Sequence, residues 1–252
     1  MSEGRKIDPM LAARLAKPVL PKRFYENADV GPHEDAEFVL LLDGRPARTP
    51  ARRLIRFANA ALGRLAAAEW NAQKEFIDPS GMPVTRLANT AIDGMDAAAP
   101  AVRDDLARYA GSDLVCYRAG EPEGLVEAQN RHWDALVRLA DGWGMRLNLA
   151  EGIVHVEQPE RSLSRARALV ESLEGIVLAA AHVLVTLTGS YVIAMALIRG
   201  EIGPDEAWAA AHVDEDWQIS LWGEDAEAAE RRALRRREFD AAVAILRAAG
   251  SD

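Results

Sequence analysis

The sequence predicts an α+β protein: a small N-terminal α+β domain built on a β-hairpin, followed by a mostly α-helical bundle domain. Three observations predict it. Strand-like runs are concentrated near the start, between Arg23 and Pro50. Asp43-Gly44, the strongest short hairpin signal, sits between two of them. Beyond residue 83, apolar residues recur mostly at helical spacing to the end of the chain.

Residues 1–22 read as a flexible arm, 23–83 as the α+β domain and 84–252 as the helical domain. The arm sets Arg5, Lys6, Arg14 and Lys17 around short apolar pieces and has no apolar core of a secretory signal. Glu3 and Asp8 fit a cleaved presequence poorly. Phe24 and Tyr25 open a short strand, 37–42 forms a second, and 45–49 returns as its partner until Pro50 ends it. A helix over 56–73 follows, with Phe57, Ala60, Ala61, Leu65, Ala68 and Trp70 on its apolar stripe. The connection at 77–83, with two prolines and a glycine, marks the domain boundary.

Helices are expected over 85–95, 101–110, 125–143, 163–173, 205–222 and 227–249, with short strand-like pieces at 114–117 and 153–156. The run 175–198 has no charged residue and is long enough to span a bilayer. Gly189 and Ser190, however, read as a turn followed by an N-cap. They divide the run into two buried helices, each too short to cross, so no stable membrane insertion is expected.

The chain of 252 residues carries a formal net charge of −9, which counts against nucleic-acid binding, where phosphates need a basic surface. A single cysteine, Cys116, rules out an intrachain disulfide and a thiolate metal cluster. It reads as a packed thiol rather than a nucleophile. His33-Glu34 starts like a zincin motif, but no second histidine follows at helical spacing. Ser190 lacks the flanking pattern of a nucleophile elbow, and no phosphate-cradling glycine motif occurs. No catalytic residue, cofactor or metal site is therefore assigned. One alternative survives as a contrast: a metal-dependent hydrolase using His212, Glu215 and Asp216. The arginine-rich run at 231–237 reads as a solvated helix face with ion pairs, or else as an electrostatic docking patch.

Residues 214–223 are the most informative stretch. Glu215, Gln218 and Trp222 fall at i, i+3 and i+7 on one helix face, and Asp214, Trp217 and Leu221 lie on the neighbouring stripe. Gly223 then stops the helix. Mixed acids and indoles mark a partner-binding surface. Trp70 reads either as a core anchor against the β region or as an exposed indole in a groove between domains.

These pieces fit together in order. Arg23-Phe24-Tyr25 is followed by Leu42-Asp43-Gly44-Arg45, Thr49-Pro50 and Glu69-Trp70-Asn71-Ala72-Gln73. Next comes Met82-Pro83-Val84-Thr85-Arg86-Leu87-Ala88-Asn89-Thr90-Ala91-Ile92-Asp93. Near the other end are Glu215-Asp216-Trp217-Gln218-Ile219 and Trp222-Gly223. From Arg23 to Gly223 the chain resembles the assembly chaperones of the F1-ATPase α subunit, found in mitochondria and α-proteobacteria. The resemblance implies a non-enzymatic protein that holds the newly made, unassembled F1-ATPase alpha subunit until the β subunit replaces it. It also implies a small α+β domain joined to a helical one, and a bacterial cytoplasmic or mitochondrial matrix location. The family's functional acid in its Glu-x-x-Gln region matches Glu215, with Asp214 as the alternative. The tryptophan of its Glu-Trp-x-x-Gln pattern matches Trp70. The last thirty residues depart from the family pattern, which leaves the C-terminal helix without an implied role.

Overall fold

The computed structural model describes residues 20–34, 37–152 and 154–250. Most of the expected arm, residues 1–19, lies outside them.

Four antiparallel strands form the N-terminal sheet: β1 (Ala28–Pro32), β2 (Phe38–Leu42), β3 (Arg45–Pro46) and β4 (Arg56–Phe57). β2 pairs with β1 on one edge, and with both β3 and β4 on the other. Asp43 (φ 48°) and Gly44 (φ 76°) are both left-handed, as a two-residue hairpin turn requires. The Asp43 carboxylate accepts the amides of Asn27 and Glu26, and these bonds hold its pKa below the usual carboxylate range.

The returning strand is shorter than expected: after Pro46 one amide, that of Ala47, still donates to the Leu40 carbonyl of β2, and the chain then turns to form an isolated bridge, Arg48 to Leu54. Phe24 and Tyr25 form no strand. Lys22 instead bridges to Phe76, and the Tyr25 hydroxyl donates to the Trp70 carbonyl at 2.7 Å.

The free edge of β1 is largely stripped of donors. Asn27, Gly31 and His33 face β2, because Asp43 donates to the Asn27 carbonyl and His33 donates to that of Glu37. Ala28, Val30 and Pro32 therefore point outward. The Asn71 side chain bonds both backbone groups of Ala28, the Asp29 carboxylate accepts the Val30 amide, and Pro32 has no N–H to offer.

Helix α1 (Ala60–Ala72) starts later than its apolar stripe suggested, since Arg56 and Phe57 are taken into the sheet. Asn59 caps it by accepting the Leu62 amide, and its side chain also donates to the Ala248 carbonyl near the other end of the protein. Gly63 lets α1 lie against β1, where an added Cβ would stand 2.7 Å from the Val30 side chain.

α2 (Pro83–Thr90), one π-helical turn (Ala91–Met95) and α3 (Asp96–Tyr109) run on without a break, replacing the two separate helices expected there. A short parallel pair, β5 (Tyr117–Arg118) with β6 (Ala150–Glu151), flanks α4 (Glu123–Gly142). The strand expected at 153–156 thus falls earlier, with Ile153 outside the described residues and Val154 to Val156 irregular. α5 (Glu160–Leu169) also starts and ends earlier than expected.

The uncharged run divides into α6 (Gly175–Thr188) and α7 (Tyr191–Ile198). Gly189 (φ 66°) ends the first, and the Ser190 hydroxyl caps the second by accepting the Ile193 amide. No helix among the described residues is long and apolar enough to cross a membrane. Asp113 lies fully buried beneath this turn, accepting from the Ser190 hydroxyl (2.6 Å) and from the amides of Val192 (2.9 Å) and Val115 (3.1 Å).

The single helix expected over 205–222 breaks at His212 (φ −123°, ψ 20°) into α8 (Pro204–Ala211) and α9 (Val213–Trp222). α10 (Ala226–Ala249) closes the chain and packs along α6 and α1. A continuous core runs from Leu40 of β2 through Met82 to Tyr191 of α7 and Ile245 of α10.

Burial pushes the Asp113 pKa up from 3.8 to about 6, against the pull of its hydrogen bonds. Because the folded value is the higher one, the folded state keeps the proton between these pH values while the unfolded chain loses it. The stability of the wild type relative to Asp113→Asn should therefore fall by up to about 3 kcal/mol as pH rises from about 4 to about 6, then level off. Thermal melts of both proteins across that range measure it. A difference that grows in the wild type's favour with rising pH would reverse the assignment.

Candidate functional site

Helix α9 carries the candidate surface, and its first turn sends three adjacent acids in different directions. Their charge suits the positive end of a helix. Asp214 accepts from the buried Gln129 side chain of α4 at 2.7 Å, while the Gln129 carbonyl oxygen accepts the Ala119 amide. Asp216 pairs with Arg232 of α10 at 2.5 Å. Glu215 shares Arg232 only through a long ion pair. Its carboxylate stands 4.0 Å from Arg232 and 3.9 Å from the His212 ring.

Trp217 supplies the apolar contact. Its indole lies on Gly124 in the first turn of α4, where an added Cβ would come within 2.5 Å of the ring. Val213 is the one fully buried residue of α9. The helix is thus clipped between α4 and α10 mainly by polar bonds and one indole, and its remaining face is open.

That face holds Glu215, Gln218 and Trp222, which line one cavity of about 240 Å³ with Ile219, Ala228 and Arg232. Trp222 is 78% exposed and its neighbour Leu221 54%. A tryptophan this open to water leaves a large apolar area uncovered. Three of the residues expected to meet a partner are therefore together. Asp214 is turned away, holding α4.

Trp70 belongs to a different neighbourhood. It packs against the Tyr25 ring with centroids 5.4 Å apart, and its indole nitrogen is buried without a partner. The residues around it tie the fold together. Glu69 caps α2 by accepting from the amides of Val84 and Thr85 and from the Thr85 hydroxyl. Gln73 accepts the Asp78 amide, and Arg23 donates to the Gln73 carbonyl. α1 packs on β1, α2 and α10, whereas α9 packs on α4, so the structure does not bring Trp70 to the α9 face.

The structure does not assemble a metal site from His212, Glu215 and Asp216. Nδ1 of His212 donates to the Trp208 carbonyl at 2.8 Å, and its ring stacks on Trp208 with centroids 4.0 Å apart. Burial pushes the imidazole pKa down, and the nearby Arg232 and Arg235 add to the effect. Asp216 is engaged by Arg232. Among the described residues, no group of three histidine, cysteine or acidic side chains is arranged to hold a metal ion.

The arginine run is largely consumed within the molecule. Arg231 pairs with Glu227, Arg235 donates to the Leu187 carbonyl, and Arg236 bonds Asp205 and Asp240. Sequence reasoning missed Gln129, Gly124 and Arg232 as the seat of α9. Helical spacing signals partners three or four residues away, and all three lie far from α9 along the chain.

Gly124→Ala should displace Trp217 and loosen α9, at a cost of about 1–3 kcal/mol. Urea unfolding read by tryptophan fluorescence checks this, and unchanged stability would show that the indole does not depend on the glycine.

Comparison with known proteins points one way. A family model described as ATP12 chaperone protein matches residues 22–141. The mitochondrial protein atp12 of Schizosaccharomyces pombe is 23% identical over 237 residues, covering 88% of this chain and 81% of its own. Among solved structures, a protein of Agrobacterium tumefaciens described as a chaperone superposes with a TM-score of 0.87 at 44% identity, covering 97% of this chain and 92% of that one. Atp12 from Paracoccus denitrificans gives a TM-score of 0.83 at 38% identity, covering 90% and 98%.

Proposed function

The chain belongs to the ATP12 chaperone family, and from that premise we propose that it holds the unassembled F1-ATPase alpha subunit and promotes assembly of the ATP synthase catalytic head. It is a chaperone and not an enzyme. One observation carries the surface: Trp222, 78% exposed, stands beside Glu215 and Gln218 on the open face of α9. An unassembled subunit exposes apolar area that its neighbour normally covers, and such area aggregates. A holder must mask that area and still let go, so its contact should be moderate in strength and partly polar.

The α9 face supplies both halves of that balance. Trp222 covers apolar area on the client, while the Glu215 carboxylate receives a basic or amide group. Arg232 bonds Asp216 closely and Glu215 only at 4.0 Å, so Glu215 can exchange that long ion pair for a group of the client. Asp214 and Trp70 act at one remove, the first by seating α9 on α4 and the second by fixing the N-terminal fold. The protein works where the α subunit is made or delivered, which is the cytoplasm of a bacterium or the mitochondrial matrix.

Co-expression with F1 α and β subunits separately tests the partner: selective co-purification of α supports it, and capture of neither removes it. Glu215→Lys should abolish recovery of soluble α subunit while leaving the chaperone's own Tm in place. Unchanged recovery would take Glu215 out of the site. Trp222→Ala should weaken binding by about 2 kcal/mol or more, roughly thirtyfold, without a stability cost, because the ring is solvated in the free protein. Titration of purified α subunit measures it.

A further inference from the structure

The α9 face makes no use of residues 82–93, the longest stretch on which the family resemblance rests. This stretch joins the sheet to the helices. Asp93 accepts from the Thr49 hydroxyl at 2.7 Å and from the Ala51 amide at 3.3 Å, and the Ile92 carbonyl accepts from Arg53 at 2.6 Å. The π-helical turn Ala91–Met95 lies here. Such turns give up regular helical hydrogen bonding and are frequent at functional sites.

Between this turn, β4 and the first turn of α6 opens a cavity of about 690 Å³, within the roughly 300–1,000 Å³ range of sites that enclose ligands. Phe57, Leu62 and Ala88 form its buried floor, while Ile92, Ile176 and Val177 are half-buried and leave apolar surface open to water. The charges on the rim are unequal. Arg56 is paired with Glu37 at 3.0 Å, while Arg53 donates to the neutral Ile92 carbonyl and keeps its positive charge. Asp96 and Glu174 are exposed, and among the described residues no cation lies within ion-pair distance of either. Among the described residues, the lip thus sets two unpaired acids, Asp96 and Glu174, against one unpaired cation, Arg53, and is acidic on balance. An apolar trough of that sign complements an apolar segment that carries a positive charge.

We propose that this groove is a second docking site for the client chain, taking an apolar segment with a lysine or arginine beside it. The proposal rests on the chaperone reading and adds to the α9 face a contact lined by different elements. Two modest contacts on one client multiply through effective concentration, and breaking either one weakens the whole. A holder built this way grips firmly and is displaced stepwise.

Two measurements on the full chain test it. The first follows the methyl resonances of Ile92, Ile176 and Val177 by NMR. The probes are a synthetic helix-forming peptide of leucine, alanine and lysine, and its counterpart with glutamate in place of lysine. The cationic peptide should shift these methyls and the acidic one should not. The double variant Asp96→Lys/Glu174→Lys should bind the cationic peptide about tenfold more weakly. A control reversal at the exposed Glu121 and Glu206, outside the groove, should retain wild-type affinity. Silent groove methyls, equal shifts with both peptides, or an effect of the control as large as that of the rim variant overturn the proposal.

The second measurement is capture of co-expressed F1 α subunit by the Asp96→Lys/Glu174→Lys and Glu215→Lys variants. Loss of capture in the rim variant supports the groove. Full capture by the rim variant, alongside loss in Glu215→Lys, overturns the groove and leaves the client reading standing. If the wild type captures no α subunit, the client reading fails, and the peptide titration still decides whether the groove binds.

Discussion

A buried carboxylate is costly, and three donors offset part of that cost at Asp113. The Ser190 hydroxyl and the amides of Val115 and Val192 converge on its two oxygens. Through these bonds one side chain closes the turn between α6 and α7 and fastens it to the segment leading into β5. Closing that turn makes an uncharged run into two helices that pack against each other. α10 then lies along α6, and α4 crosses α7. Trp133 of α4 donates to the Ala210 carbonyl and receives the end of α8. Gln129 and Gly124, which seat α9, lie on that same α4. The candidate surface thus depends on a hydrogen-bonded charge in the core at the other end of these contacts.

The way α9 is attached differs from the rest of the bundle. Most helices bury an apolar stripe, whereas α9 buries Val213, lays one indole on a glycine, and otherwise relies on Gln129 and Arg232. Polar clips fix orientation more than they add stability. They present Glu215 and Trp222 at a defined angle while leaving a face that is not self-satisfied. A chaperone needs such a face, since a surface that completes its own bonding has little to offer a client.

Much of the fold was legible wherever the controlling chemistry was local. Asp43-Gly44 specified its hairpin and Gly189-Ser190 its helix break, because positive φ and capping belong to single residues. The break at His212 was not legible. Helical spacing runs unbroken through it, and the chain turns because Trp208 stacks on His212 and packs against Phe239, while α9 is drawn to α4. β4 was hidden for a similar reason: Phe57 extends the apolar stripe of α1, and Arg56 and Phe57 join the sheet only because β2 has an open edge there. At the candidate site, the spacing of Glu215, Gln218 and Trp222 was enough to place them together. The same spacing could not separate Asp214 from them, since only Gln129, 85 residues away, decides where that acid points.

The outer edge of β1 has a consequence for the company this protein keeps. Exposed strand edges recruit strands from other chains, most readily from partly folded ones. Here the outward backbone groups of Ala28 are taken by Asn71, the Val30 amide by Asp29, and Pro32 has none to give. A strand lying alongside finds no free amide to pair with on that side. An edge that offers acceptors but no donors is a poor template for a second strand, which blunts cross-β growth from β1.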